Sequence, residues 1–127
     1  MIWITFVVLA ALFNAVMDTI RFEYRSSIFS LITNSRLVKW VNPSISQPNK
    51  WKDSIMGSKP RFFGSTTFLV WTTDLWHFCK AGMICFLGYA IVFYSPIIDK
   101  FWDSAIATAT FGTAFEIANR IMLIKHK

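Results

Sequence analysis

Asp74 and His77 stand about one helical turn apart in the run TTDLWHFCK, with Lys80 a turn further on. A histidine beside a carboxylate can move a proton, and with a second carboxylate it can hold a divalent cation. Glu116, Asn119 and Arg120 form a similar set late in the chain, and Asn14 with Asp18 another near its start. All of these pairs have i, i+3 or i, i+4 spacing, so each set lies on one side of a helix. Ionisable groups next to long apolar runs are costly, so each must snorkel, pair or serve a function. The chemistry stops short of a reaction. There is no H-E-x-x-H, G-x-S-x-G, phosphate loop, C-x-x-C or cysteine-nucleophile arrangement, and no cofactor is indicated. Catalytic residues are therefore unassigned, and a metal, if any, would fall to Asp74, His77 and Glu116. The structural alternative is that Asp18–Arg21 and Glu116–Arg120 are intrahelical pairs and that Lys80 and Arg21 snorkel.

The elements that must position these residues are membrane helices. Of 127 residues, 54% are hydrophobic and 16% charged, with thirteen Phe and six Trp. Soluble domains usually carry about a quarter charged residues. Three long apolar stretches predict an all-α integral membrane protein with three transmembrane helices and an amphipathic interfacial segment, in one domain. The first helix covers about residues 1–25 and carries Ala11, Asn14, Ala15 and Asp18 on one face. Residues 26–61 form a basic loop; its first part is amphipathic and fit to lie in the interface plane. Asn42-Pro43 should end that part. A long helix is expected over 65–95, capped by Ser65 or Thr66; at about 46 Å it exceeds a ~30 Å hydrocarbon core. It either projects or breaks near residues 80–82, and the projecting or tilted helix is the expectation taken. The last helix, about 103–125 and capped by Asp103 or Ser104, has Ala105, Ala109 and Gly112 on a close-packing side. Cys79 and Cys85 are expected to be small, reduced packing residues.

The charges set an orientation. The net charge is +6, and eight of the thirteen Lys and Arg fall within residues 21–61, opposed only by Glu23 and Asp53. A basic segment between apolar ones belongs on the cytoplasmic side, against anionic headgroups. With the Lys125-His126-Lys127 tail this predicts an N-out, C-in, multi-pass protein of the cytoplasmic or inner membrane. Trp3 and Trp102 then mark the outer interface, Trp71 and Trp76 the inner one. No nucleic-acid motif accompanies the basic segment, so nucleic acid is not an expected partner. Depth counts at 1.5 Å per residue put Asn14, Asp18, Asp74, His77, Glu116 and Asn119 within roughly 20–33 Å of the outer ends. The expectation is one polar cluster, shared by three helices, in the cytoplasmic third of the membrane. Small residues extend each polar face: Ala11 and Ala15; Ala81, Cys85 and Gly88; Ala109 and Gly112.

Three function classes fit. The first is a non-enzymatic subunit, adaptor or assembly factor that self-associates or holds a membrane partner. The second is an oligomeric pore, since three crossings with N-out, C-in and a basic tail resemble one class of phage holins in topology alone. The third is an interfacial enzyme acting on lipid headgroups. The phrases NPSIS, NKWKD and TDLWHFCK also resemble small membrane proteins of bacteria and their phages, a likeness that implies no function.

Overall fold

The computed structural model describes residues 1–124, which are helical with no strand among them. Three long helices dominate: α1 (Ile2–Phe22), α4 (Leu75–Val92) and α5 (Lys100–Met122). Two short helices, α2 (Ser35–Val41) and α3 (Pro43–Ser46), lie between α1 and α4 among tight turns. α1 and α4 are long and apolar enough to cross a membrane; α5 is longer still but more polar. The Lys125-His126-Lys127 tail invoked for orientation lies outside the described residues.

α1 is the hub. Both α4 and α5 pack along it and barely touch each other. Its Ala10, Ala11 and Ala15 are fully covered, so neighbouring backbones come close. At one end Trp3, Val7 and Ala90 form a core against Ala107 and Phe111. Midway, Phe13 lies against Gly82 and within ring-stacking distance of Phe78 and Phe86. At the other end Thr19 donates to Asn119 at 2.7 Å and the Ile124 N–H to Ser26 O at 2.7 Å. α4 therefore runs antiparallel to α1, and α5 parallel to it.

Between α1 and α4 the chain builds a headpiece of turns. Asn34 caps α2 through the Arg36 and Leu37 amides, and Asn42 caps α3 through Ser44, with Pro43 at the first helical position. Residues 50–61 form a hairpin-like loop closed by Lys52 N–H to Lys59 O and Arg61 N–H to Lys50 O. The buried Ser65 hydroxyl holds this loop from outside, donating to Lys50 O at 2.8 Å.

Several expected boundaries move. The helix expected over 65–95 starts only at Leu75, with Asp74 as its cap in place of Ser65 or Thr66. The hydroxyls of Thr67, Thr72 and Thr73 bond back to carbonyls three residues earlier, which keeps 65–74 in turns. No break occurs at 80–82. The last helix begins at Lys100, capped by Asp99 through Phe101 and Trp102, three to four residues before the expected start. The first helix ends at Phe22, short of 25. Trp3 is not a belt residue: it is buried beneath the α4–α5 turn and donates to Ser95 O at 3.0 Å.

Candidate functional site

Asp74 begins the site because it begins α4. Its extended backbone puts the carboxylate over the first turn, where Oδ1 accepts the His77 N–H at 3.0 Å. The other oxygen, Oδ2, lies 2.9 Å from Thr73 Oγ1, sharing that hydroxyl's single proton with Val70 O, and 2.6 Å from His77 Nδ1. A fully buried carboxylate is thus partnered on both oxygens, and the imidazole is locked with its far nitrogen away from Asp74. That tautomer-fixing arrangement is the one a general base or a ligand needs, and equally the one that anchors a helix start.

The ring of His77 borders a cavity of about 460 Å³ whose wall also carries Arg21, Ser44, Lys50 and Trp76. Trp76 meets the His77 ring edge-on, at 4.9 Å between centroids. Two cations rest near its indole: Arg21 at 5.9 Å and Lys80 at 5.3 Å. Each is close enough for a cation–π attraction of about 0.5–1 kcal/mol. These two basic residues therefore bracket Trp76 and do not pair with Asp74. No hydrogen bond joins the Ser44 hydroxyl to the imidazole, so histidine, serine and carboxylate are neighbours without forming a triad.

The single cluster expected from depth does not assemble. Asp74 and His77 meet, but Glu116 turns outward and pairs with Arg120 on its own helix, Nε to Oε1 2.7 Å, both side chains more than half exposed. Asn14 and Asp18 are half-buried on α1 and form no side-chain hydrogen bond with a described residue. Asn119 is held by Thr19. Among the described residues no three of His, Cys, Asp and Glu come together, so Glu116 does not join Asp74 and His77 as a ligand set. The reason is rotational: α5 shows α1 its Ala107–Phe111 side, which turns the Glu116 carboxylate away from α4.

The small-residue faces also divide. Ala11 and Ala15 pack as expected. On α4 the face against α1 is Cys79, Gly82, Phe86 and Ala90, whereas Cys85 and Gly88 are exposed. Ala105, Ala109 and Gly112 point outward, with open space where a Gly112 side chain would stand.

Two groups escaped the sequence reading. Thr19, fully buried, was hidden in an apolar run, though Asp18–Thr19 is a polar doublet there. Asp103, expected as a cap, is a buried clamp on the α4–α5 turn. It accepts from Tyr94 Oη at 2.8 Å and from the Ile97 and Ile98 amides at 2.9 and 3.2 Å. The hydrogen bond to Asp103, with lesser help from burial and from the Asp103 and Asp99 charges, raises the Tyr94 phenol above its ordinary value.

Comparison with protein-family models, curated proteins and solved structures finds no match to this chain.

Proposed function

We propose that the protein is a non-enzymatic membrane subunit or assembly factor, a three-crossing unit with its N-terminus outside and its basic headpiece inside, which receives a membrane helix on the outer face of α5. The observation that carries the membrane reading is α4. Its most apolar window is only 11% buried, against 39% for α1, and Ile84, Leu87, Ile91 and Val92 point outward. Exposed apolar surface of this kind needs lipid or protein over it. α5 has 23 residues, about 34 Å of helix, and keeps Phe101, Trp102, Ile117 and Ile121 exposed. Positive charge concentrated in the headpiece favours the cytoplasmic side for that end.

The subunit reading is supported by the outward Ala105, Ala109 and Gly112. In lipid, close backbone approach over small residues drives helix association where the hydrophobic effect cannot. The test is assembly state in gentle detergent, by cross-linking and native mass spectrometry. Gly112→Leu should dissociate the assembly while leaving the α1–α5 contact intact. A wild-type chain recovered only as a monomer without partners sinks the reading.

A second reading, an enzyme acting on lipid headgroups, is favoured by the Asp74–His77 pair bordering a cavity with Arg21 and Lys50. An altered lipid profile on expression, abolished by His77→Ala, would replace the subunit reading with this one. Collapse of the membrane potential would replace it with a pore.

A further inference from the structure

A second basic cavity lies apart from His77, between α2 and the loop closed at Trp51 and Pro60, with a volume of about 690 Å³. Arg36, Lys39, Lys52 and Arg61 all line it, with Asp53 as the one carboxylate. None of the four cations forms an ion pair with a described residue. Trp40 and Trp51 supply the aromatic part of the wall. The Trp51 indole Nε1 is the one buried side-chain polar atom among the described residues that lacks a hydrogen-bond partner. Asp53 and Ser54, consecutive in the wall, are both held at φ 57°, a left-handed conformation that aspartate adopts more readily than serine.

We infer that this cavity is a binding site for a phosphate-bearing anion. Four positive groups around one space repel each other, and a ligand of charge near −2 relieves that repulsion while one carboxylate cannot. Guanidinium groups at Arg36 and Arg61 can each grip two phosphate oxygens, and the two lysines add point charges. The indole walls suit a ligand that carries apolar matter beside its charge. The same phosphate chemistry comes from an anionic lipid headgroup or from free phosphate. The lipid source rests on the membrane reading above; the phosphate site itself does not.

The test uses the full chain in a non-ionic detergent, with radiolabelled inorganic phosphate and short-chain phosphatidic acid as probes and phosphatidylcholine as the control lipid. Two charge-matched double variants are compared: Arg36→Gln with Lys52→Gln inside the cavity, and Arg25→Gln with Lys59→Gln outside it. All four side chains are exposed, so both variants should keep the helical circular dichroism of the parent. Loss of two charge-assisted contacts should weaken phosphatidic acid by about tenfold or more in the cavity variant, and by less than about twofold in the other. Inorganic phosphate that competes on equal terms supports the site with free phosphate as its ligand. Phosphatidic acid that inorganic phosphate fails to displace supports it with a headgroup as its ligand. Equal losses in the two variants would mean diffuse adsorption to a basic surface and overturn the proposal. So would binding of neither probe, or binding of phosphatidylcholine as tight as phosphatidic acid. A chain that proves not to span the membrane yet binds inorganic phosphate through Arg36 and Lys52 would keep this site and lose only the membrane reading.

Discussion

The Phe13 ring occupies the space that a side chain on Gly82 would need: a Cβ there would lie 2.5 Å from Phe13 Cε1. The ring is not free to yield, because Phe78 and Phe86 lie close to it. Gly82→Ala should therefore cost about 1–3 kcal/mol through overpacking. Gly88, on the same helix, has nothing within 4 Å of its Cβ position, and Gly88→Ala should be neutral or slightly stabilising. Melting temperatures in detergent check the pair, and equal effects would show that α1 and α4 do not meet at Phe13.

Asp74→Ala removes the α4 cap, the partner of Thr73 and the partner of His77 together. A loss of about 2 kcal/mol is expected. His77→Ala should cost less, because Asp74 retains the Thr73 hydroxyl and its own capping bond to the residue 77 amide. Denaturation monitored by helical circular dichroism gives the ranking. A reversed order would mean that the imidazole, and not the cap, holds Asp74 in place.

Tyr94 predicts an alkaline limit to stability. Its folded-state pKa lies above the ordinary tyrosine value of about 10, so the bond to Asp103 contributes fully below that pH. The contribution is lost as pH rises through the raised folded value. Wild type should thus lose melting temperature above about pH 10 more steeply than Tyr94→Phe, which starts lower and has no phenol to ionise. Parallel pH curves would show that the turn does not depend on this bond.

The two cysteines report on the surroundings of α4. Cys79 is buried against α1, and Cys85 is exposed halfway along the helix. In intact vesicles a charged maleimide should label neither cysteine until the protein unfolds, because the reagent needs a thiolate in contact with water. Rapid labelling of Cys85 by the charged reagent would mean that this face of α4 meets water.

The three long helices were legible because their apolar runs are long. Their ends were not, because ends are set by local competition. Three threonines before Asp74 bond back to carbonyls in a way that hydropathy does not register, and Asp99 out-competes Asp103 as a cap by four positions. Which polar residues share a helix was also legible, since i, i+3 spacing fixes it. Which helices face each other was not. Depth along an axis says nothing of rotation about it, so Glu116 stood at the right level and on the wrong side. The basic cavity was invisible for a related reason. Its cations sit as far apart in sequence as Arg36 and Arg61, and only the closure of residues 50–61 brings them to one wall.

The central position of α1 also fixes an order of assembly. Its partners come late in the chain: Trp3 waits for Ser95, and Thr19 for Asn119, separations of 92 and 100 residues. Because α4 and α5 barely touch, neither can pre-form a docking surface for the other. Domains synthesised vectorially tend to organise N-terminal part first. α1 must then persist alone, with Ala10, Ala11 and Ala15 uncovered, until the rest of the chain is made. During that interval it is a helix with two vacant flanks, open to any apolar surface that reaches it first. Closure of these long loops is slow relative to local folding. Errors in this protein should therefore begin as misplaced partners of α1, before any turn or cap has had the chance to fail.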